Sequence, residues 1–447
     1  MLGEFKELES QTIFLADSTS FNDPLEDFVY LKYKGDRILW ENMFKEFLVA
    51  MEYQMYTAPL YSEDMFDEFM KGNINGPKTG PYFKHKDYSN RIRKITDRFF
   101  DYKCVGEWLE YLQNRDEFIN DEQLISILSV MSCFATESIL YIFEECTSAK
   151  NFYSNFLSVS QKLLSEVETN SSSILIEIKK SQKEDELLNR LNLDFQSNMA
   201  ARYSFYDLEI KKISNYYFLF DFPVKFVNEL KDFVYYRWYA ASFMKEPPKR
   251  MDLWSNYAKD HTGVCLIFKN VEHLKCSGVL HLQCGYVEYN NDIVTIDFFK
   301  RMWVLNEQTL LNEWYTDRCG NKSPSFEQAG RPTEEERNEL WSSVAKIKYR
   351  KNKDWEAENE IRFTIDNNWI DVTDPARRLL TYDFNSLEGI VFGIRTSVLD
   401  KARIFKTISS KCKAHKRNSF KFYQARYDKL KGELVYDEMI TLEKYIK

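Results

Sequence analysis

The sequence predicts an α+β protein that combines a helical lobe with a mixed, largely antiparallel sheet. From about residue 90 to residue 230, segments such as DEQLISILSVMSCFATESILYIFEEC repeat apolar residues at spacings of three and four, which is typical of helices. After Pro223 the chain changes to short β-rich runs, such as GVCLIF, EIRFTI and FKFYQARY, with Gly, Asp and Asn between them. Together these patterns indicate a sheet-based core and a separate group of helices.

The length of 447 residues exceeds that of one ordinary domain. We predict an N-terminal part of the core in residues 1–90, a helical lobe in residues 91–220 and a β-rich C-terminal core with the functional site in residues 221–447. Hydrophobic residues make up 44% of the chain, which is enough to bury a sizeable core. Within the C-terminal part, a helix is predicted at about Glu334 to Lys348, where a proline precedes a run of glutamates.

Charge and cysteine usage narrow the class of protein. The formal net charge of -8 argues against a protein that binds nucleic acid through its overall field. The eight cysteines are scattered without a CxxC pair, and the start MLGEFKELES lacks the pattern of a secretion signal. No apolar run is expected to approach the ~20 residues of a membrane span. We therefore expect a cytoplasmic protein with reduced thiols, and the spacing of its few histidines predicts no metal site.

The first candidate site residues lie in FNDPLED, after a predicted strand that includes Thr12 to Leu15. Asn22, Asp23 and Glu26 have side chains that can bind a ligand or cap the backbone. The proline in this stretch disfavours helix at the residue before it. We expect a fixed loop, and the sequence leaves both the ligand-binding and the capping role open.

The stretch LWSNYAKDHTGVCLIF contains an aromatic pair and a histidine. Trp254, Tyr257 and His261 occur at spacings of three and four, so a helix would present them on one face. Gly263 is expected to end that helix, and Val264 to Phe268 continues as a strand. This face is a candidate wall of a pocket for a flat ring. The other interpretation is an amphipathic helix whose aromatic side chains pack in the core.

In DWEAENEIRF, the charged residues Glu356, Glu358, Glu360 and Arg362 fall at every second position. In a helix, one repulsive and one favourable pair at four-residue spacing nearly cancel, since each contributes about 0.2–0.5 kcal/mol. In a strand, all four side chains point the same way. Their carboxylates then repel each other unless a cation lies between them, so such a face suits a site that binds positive charge. The charge pattern alone leaves helix and strand open.

Residues 401–431 form a basic segment with aromatic residues between the lysines. Such a segment can hold phosphates or nucleic acid. It can equally be an ordinary helix and strand with solvated lysines. Its candidate nucleic-acid contacts are Lys411, Lys413, Lys416, Arg417 and Lys421.

Taken in order, FNDPLE, LWSNYAKDHTGVCLIF, GYVEY, WEAENEIRF and EGIVFGIR resemble an uncharacterised bacterial family, domain of unknown function 2971. The resemblance covers residues from about 11 to 30 and from about 232 to 432, and the stretch between is a larger helical insert than the family pattern needs. It implies a fold related to the ADP-ribosyltransferases, a split mixed/antiparallel β-core with a large helical insertion. This order of motifs favours the strand for DWEAENEIRF.

The resemblance also implies roles for individual residues. The E-x-E strand of ADP-ribosyltransferases matches Glu358-Asn359-Glu360, which makes Glu360 the catalytic carboxylate. Glu360 would stabilise the positive charge that develops on the ribose as the bond to nicotinamide breaks, and Glu358 would orient an acceptor or act as its base. Arg362 would hold these glutamates or bind the pyrophosphate. The residues implied for NAD+ binding are Ser242, Trp254, Tyr257, His261, Arg362, Asn22 and Asp23.

One departure from the family pattern concerns its first motif, Tyr-basic-Tyr, which has no match near the start of this chain. Tyr235 and Arg237 are the candidate replacements. We expect an NAD+-dependent ADP-ribosyltransferase or NAD+ glycohydrolase that takes NAD as substrate, needs no metal and acts as a bacterial defence or toxin effector on a macromolecular acceptor. The alternative is a non-catalytic nucleic-acid- or protein-binding module with the same fold, which binds its partner through the basic segment. Neither function involves a membrane.

Overall fold

The computed structural model of the protein describes residues 7–23, 25–61, 65, 69, 72, 86–143, 147–205, 217–234, 236–272, 274, 276–279, 281–302, 305, 307–326, 332–367 and 371–439. The chain divides into two compact units. The core unit consists of Met1–Phe28, Tyr236–Val294 and Val344–Lys447, and the helical unit consists of Val29–Tyr235 and Thr295–Ser343.

The strands are short and are numbered here along the chain. They are β1 (Thr12–Phe14), β2 (Ala16–Asp17), β3 (Val29–Lys32), β4 (Trp238–Met244), β5 (Val264–Phe268), β6 (Cys276–Ser277), β7 (Gln283–Tyr286), β8 (Glu288–Tyr289), β9 (Val294–Asp297), β10 (Arg350–Lys351), β11 (Glu360–Asp366), β12 (Leu379–Tyr382), β13 (Leu387–Phe392), β14 (Lys421–Asp428) and β15 (Glu433–Glu438).

The α-helices are numbered in the same way. They are α1 (Arg37–Thr57), α2 (Lys86–Phe100), α3 (Lys103–Gln113), α4 (Asp121–Phe143), α5 (Thr147–Lys180), α6 (Glu184–Phe205), α7 (Phe222–Val234), α8 (Met251–Tyr257), α9 (Phe298–Arg301), α10 (Glu307–Thr309), α11 (Glu334–Lys348) and α12 (Val398–Ala414). Helix α11 has the bounds expected from its proline and glutamates.

Two four-stranded sheets form the centre of the core unit. The first has the order β2-β4-β11-β7, and all its pairs are antiparallel. The second has the order β15-β14-β13-β5, in which β13 and β14 are parallel and the other pairs antiparallel. Strands β1, β12 and β6 form a third sheet, and β8 and β10 form a parallel pair. The predicted α+β class with mixed, largely antiparallel strands is confirmed.

One apolar cluster connects both four-stranded sheets and helix α12. Phe363 comes from the first sheet, Ile390 from the second and Ile408 from α12. Because successive residues of a strand point to opposite faces, the burial of Phe363 in this cluster turns its neighbours in β11 the other way. Glu360 and Arg362 therefore share the face that points away from the apolar cluster.

Helix α4 is the centre of the helical unit. Its sequence is apolar on nearly every face, and it contacts α1, α2, α5, α6 and α7. By length and composition it is the one candidate membrane span within the described residues, so the expectation that no apolar run approaches that length is wrong. However, 89% of its most apolar stretch is buried inside the protein. Burial of this extent is that of a core helix.

The bounds of the units differ from the predicted domains, because α1 belongs to the helical unit. The Asp36 carboxylate caps this helix by accepting from the main-chain N–H groups of Ile38 and Leu39, at 2.9 and 3.2 Å. Most of its side chains are buried, including its glutamates Glu46 and Glu52. The helical unit thus starts at Val29 instead of residue 91, and it also includes Thr295–Ser343.

Candidate functional site

Strand β11 carries two of the predicted site residues, Glu360 and Arg362. It lies between β4 and β7, and its register places Arg362 opposite Ser242 of β4. In front of the strand, Asn359 has a left-handed φ of 45°. Asparagine is one of the few non-glycine residues that adopt this conformation readily. Asn359 thereby connects the short 3₁₀ helix Lys353–Glu358 to the strand.

The prediction of a strand throughout DWEAENEIRF is therefore wrong for its first half. Glu356 and Glu358 lie in the 3₁₀ helix, and only Glu360 and Arg362 lie on β11. Glu356 is exposed and Glu358 is buried. The turn at Asn359, and not strand alternation, sets the position of Glu358 beside Glu360.

Five charged side chains form one buried cluster: Glu26, Lys351, Glu358, Glu360 and Arg362. Each of these side chains is at most 5% exposed. The Lys351 ammonium lies 2.6 Å from Glu358, 3.1 Å from Glu360 and 3.5 Å from Glu26. The Arg362 guanidinium donates to Oε2 of Glu360 from Nη2 at 2.7 Å and from Nε at 3.0 Å, and it also pairs with Glu26. Every member thus has an oppositely charged partner within the cluster.

The charges of this cluster do not balance, since three carboxylates surround two cations. Burial raises the pKa of Glu358 to about 7, and Glu360 adds to the rise while Lys351 opposes it. Burial also acts to raise the pKa of Glu360, but Arg362, a hydrogen bond with Glu358 and the charge of Lys351 outweigh it and hold that pKa well below its ordinary value. Glu360 therefore stays ionised at neutral pH, whereas Glu358 changes protonation near it. Burial raises the pKa of Glu26 as well.

Aromatic side chains and main-chain groups fix the cluster in place. The Tyr289 hydroxyl accepts a hydrogen bond from the main-chain N–H of Glu360 at 2.8 Å. The Arg362 guanidinium lies 5.6 and 5.8 Å from the ring centres of Phe21 and Trp238. Such cation–π contacts stabilise a desolvated guanidinium. The carboxylate of Glu360 is thus held by partners on several sides.

A cavity of about 900 Å³ opens beside this cluster. Its charged end is formed by Glu26, Lys351 and Glu360, together with the exposed side chains of Asn22, Ser242 and Tyr257. Its volume lies within the range of about 300–1,000 Å³ that is usual for small-molecule sites. The rest of the wall is largely apolar and includes Phe14, Phe243, Leu253, Leu266 and Phe268.

Two hydroxyl groups on the cavity wall reach the buried carboxylates. Ser242 Oγ donates to Oε2 of Glu360 at 3.1 Å. The Tyr257 hydroxyl donates to Oε1 of Glu358, and Asn22 Nδ2 donates to the Tyr257 oxygen at 2.6 Å. With Arg362, the structure brings together six of the nine predicted site residues.

The other three predicted site residues are not members of the charged cluster. Trp254 lines the cavity but is buried, and its Nε1 donates to the main-chain carbonyl of Pro248 at 2.9 Å. Asp23 is a loop residue whose carboxylate accepts from the main-chain N–H groups of Leu25 and Asn352, at 2.9 and 3.3 Å. Of the two roles that the sequence left open for Asp23, these contacts correspond to capping of the backbone and not to ligand binding.

His261 does not share a helix face with Trp254 and Tyr257. Helix α8 ends at Tyr257, and Lys259, Asp260 and His261 all have positive φ. The predicted continuation of the helix to His261 is wrong, because the chain turns before Gly263 and not at it. The imidazole of His261 is buried, and the residue is absent from the cavity wall formed by the described residues.

Two members of the cluster, Lys351 and Glu26, were not among the predicted site residues. Glu26 belongs to the FNDPLED loop, where sequence alone indicated a ligand or cap. Because paired carboxylates need a cation between them, the sequence indicated that a lysine or arginine lies nearby. However, no local pattern distinguishes Lys351 from its neighbour Lys353 as that cation. The position of Lys351 comes from the parallel pairing of β10 with β8, which connects distant parts of the chain.

The basic segment offers fewer free cations than its sequence indicates. Lys411 donates to a glutamine oxygen at 2.8 Å, Lys421 pairs with a glutamate at 3.1 Å, and Arg417 donates to main-chain carbonyls at 2.8 and 3.2 Å. Lys413 and Lys416 are exposed. Three of the five predicted nucleic-acid contacts thus have partners within the core unit.

Two further predictions concern the first motif and metals. Tyr235 lies outside the described residues. Arg237 is half-buried, and its main-chain carbonyl accepts from the N–H of Asn367 at 3.0 Å. Among the residues that the structure describes, there is no group of three or more His, Cys, Asp or Glu side chains that could hold a metal ion.

Comparison with known proteins gives one match. Residues 253–363, which run from helix α8 into strand β11, match the model of a family described as a protein of unknown function (DUF2971). This match supports the family resemblance of the sequence for that segment. No curated protein and no solved structure matches the chain. The similarity to ADP-ribosyltransferases therefore stays a prediction.

Proposed function

We propose that the core unit binds NAD+ in the 900 Å³ cavity and cleaves the bond between nicotinamide and ribose, as an ADP-ribosyltransferase or NAD+ glycohydrolase. The observation that carries this proposal is the position of Glu360. Its carboxylate lies on the cavity wall, is paired with Lys351 and Arg362, and accepts a hydrogen bond from the exposed Ser242 hydroxyl. A carboxylate fixed in this way offers a negative charge that needs no rearrangement during a reaction.

The chemistry of the proposed reaction requires such a group. As the bond to nicotinamide breaks, positive charge develops on the ribose, as in glycoside hydrolysis. A carboxylate stabilises this state more than the ground state, and this difference accelerates the reaction. Because Arg362 and Lys351 keep the pKa of Glu360 low, the group is ionised over the whole neutral range.

The remaining residues divide between the reaction and the support of the site. The Arg362 side chain is 1% exposed and pairs with two glutamates, which favours the role of holding Glu360 over that of binding pyrophosphate. Exposed lysines of the cavity wall, Lys245 and Lys269, are better placed for phosphate oxygens. The ionised carboxylate of Glu360 on the cavity wall favours a ligand that is positive where it meets this group, as the nicotinamide ring of NAD+ is.

The fold part of the proposal is a distant relation of the core unit to the ADP-ribosyltransferases. Two four-stranded sheets in the core unit and a Glu-Asn-Glu sequence whose last residue begins β11 support it. The acceptor and the role in bacterial defence or toxin systems remain predictions from the resemblance.

The proposal is tested by incubating the purified full chain with NAD+ that carries label on either nicotinamide or adenine, with and without cell extract. We expect release of labelled nicotinamide. Glu360→Gln should reduce it about 100- to 1,000-fold, the cost of losing one such electrostatic contact. Glu356→Gln is the matched control, since Glu356 lies in the same stretch but is exposed.

Thermal unfolding of both variants separates loss of chemistry from loss of fold. The proposal is overturned if wild type and Glu360→Gln release nicotinamide equally. It is also overturned if folded wild type releases none, with or without cell extract. Label on a macromolecule, but not in free ADP-ribose, would distinguish transferase from glycohydrolase.

A further inference from the structure

The two glutamates of the site differ in their access to the cavity. Glu360 is on the cavity wall, whereas the Glu358 side chain is 0% exposed and is absent from the wall formed by the described residues. Glu358 therefore cannot touch an acceptor or water in the cavity. Tyr257 connects the cavity to Glu358. It lines the cavity, is half-exposed, and donates a hydrogen bond from its hydroxyl group to Glu358.

We propose that Tyr257 takes the proton of the incoming acceptor and passes its own proton to Glu358, so that the tyrosine hydroxyl contacts the acceptor and the buried glutamate acts through it. This inference rests on the proposed function. It assigns Tyr257 a role in proton transfer, in place of stacking on a ring of NAD+, and makes Glu358 a positioning residue and proton store.

The hydrogen bonds around Tyr257 give this path a direction. Asn22 Nδ2 donates to the tyrosine oxygen at 2.6 Å, and the tyrosine O–H donates to Glu358 Oε1. A phenol oxygen has two lone pairs, and Asn22 occupies one of them. The other can accept the O–H of an alcohol or water. On the far side, Lys351 donates to Glu358 Oε2 at 2.6 Å, which keeps the carboxylate in place.

The proposed step is balanced in atoms and charge. The bond between ribose C1′ and the nicotinamide nitrogen breaks, and its electron pair leaves with neutral nicotinamide. An oxygen lone pair of the acceptor forms the new bond to C1′, and the acceptor proton moves to the Tyr257 oxygen as the tyrosine proton moves to Glu358. The reverse transfer later returns one proton to solvent, and no oxidant, reductant or metal is consumed.

The surroundings of Glu358 suit a group that takes up and releases a proton. The charged or titratable groups that face it are Lys351 of β10, Glu360 of β11, Tyr257 of α8, Tyr289 of β8 and, across Lys351, Glu26. Their combined effect with burial leaves the pKa of Glu358 at about 7. Burial and the Glu358 carboxylate raise the pKa of Tyr257 itself. The tyrosine is therefore a relay and not the final base.

The inference is tested with Tyr257→Phe, Glu358→Gln and the double variant, and Tyr427→Phe serves as the matched control because Tyr427 is similarly exposed (41% against 50%) but lies on β14. The measurement is turnover of NAD+ across neutral pH, together with the KM for NAD+. Wild-type turnover should rise with pH through an inflection near 7. Tyr257→Phe should lose about 100-fold in kcat, a usual contribution of general base catalysis, with little change in KM.

The decisive results are the pH profile and the double variant. We expect both single variants to lose the inflection, and the double variant to be no slower than Glu358→Gln, because residues that act as a unit are not additive. An inflection retained by Tyr257→Phe, or additive losses in the double variant, overturns the relay but leaves the proposed function intact. A wild type without nicotinamide release overturns both.

Discussion

Buried carboxylates have opposite surroundings in the two units of the protein. In the core unit, Glu360 lies 2.7 Å from Arg362 and 3.1 Å from Lys351. In the helical unit, Glu46 is 1% exposed, and its carboxylate oxygens have no hydrogen-bond partner among the residues that the structure describes. Burial raises the pKa of Glu46 to about 7, whereas the pKa of Glu360 is lowered.

This difference shows what the network around Glu360 achieves. Burial alone drives a carboxylate toward its neutral form, because the low-dielectric interior disfavours charge. A carboxylate with cationic partners keeps its charge there. The charge of Glu360 is available to a ligand, whereas Glu46 is only partly ionised at neutral pH.

The largest effect is expected from Lys351→Met, which removes a cation that three carboxylates share. Breaking a buried ion network by removing one partner costs about 3–5 kcal/mol, because uncompensated charges remain buried. The free energy of unfolding in urea measures this loss. Lys353→Met is the control, since Lys353 is a nearby exposed lysine. Equal stability of the two variants would show that the cluster is not energetically coupled.

A smaller effect of opposite sign is expected from Glu46→Gln. The folded-state pKa of Glu46 lies above the ordinary value of 4.5. Its stabilising contribution is therefore present below the unfolded-state pKa and is lost as the pH rises through about 7. The glutamine variant escapes this loss, so we expect it to be about 1–3 kcal/mol more stable than wild type at about pH 8.5, and little changed at about pH 5.

Glu137→Gln is the matched control for that experiment. Glu137 is also 1% exposed and lies in the helical unit, but Arg98 Nη2 is 2.6 Å from its carboxylate. Its replacement should destabilise the protein at alkaline pH. If Glu46→Gln also destabilises there, the suppressed charge assigned to Glu46 is wrong.

The smallest effect is expected at charges that water already solvates. Lys413 and Lys416 are exposed, so replacing both with alanine should change the free energy of unfolding by less than about 0.5 kcal/mol. NAD+ turnover should also stay unchanged. Titration of labelled RNA and DNA at several salt concentrations completes the experiment. Salt-dependent binding that the double variant weakens would favour the non-catalytic binding module.

Local patterns in the sequence identified much of the architecture. The switch from three- and four-residue spacing to β-rich runs predicts the helical lobe and the sheets. The proline and glutamates before α11 place that helix with the bounds Glu334–Lys348. These signals are local, so they can be read from a single stretch of chain.

The site was only partly predictable, because its contacts join distant segments. The order of the family motifs pointed to Ser242, Tyr257 and Glu360. Lys351 was missed, because nothing near it in the sequence indicates that β10 pairs with β8. The domain bounds were missed because α1 packs with helices far along the chain. The strand predicted for DWEAENEIRF was too long, because the alternating charges give no indication of the left-handed turn at Asn359.

The division of the core unit into three separate chain segments has a consequence for protein synthesis. Its first segment, Met1–Phe28, is synthesised before the other two, and its central sheets need strands up to β15. Domains generally fold as units during synthesis. Glu26 is synthesised before its partners Lys351 and Arg362, so the nascent chain has no complete site until both have been synthesised. If the protein is a toxic enzyme, its site becomes complete only after Lys351, Arg362 and the later strands of the core unit have been synthesised.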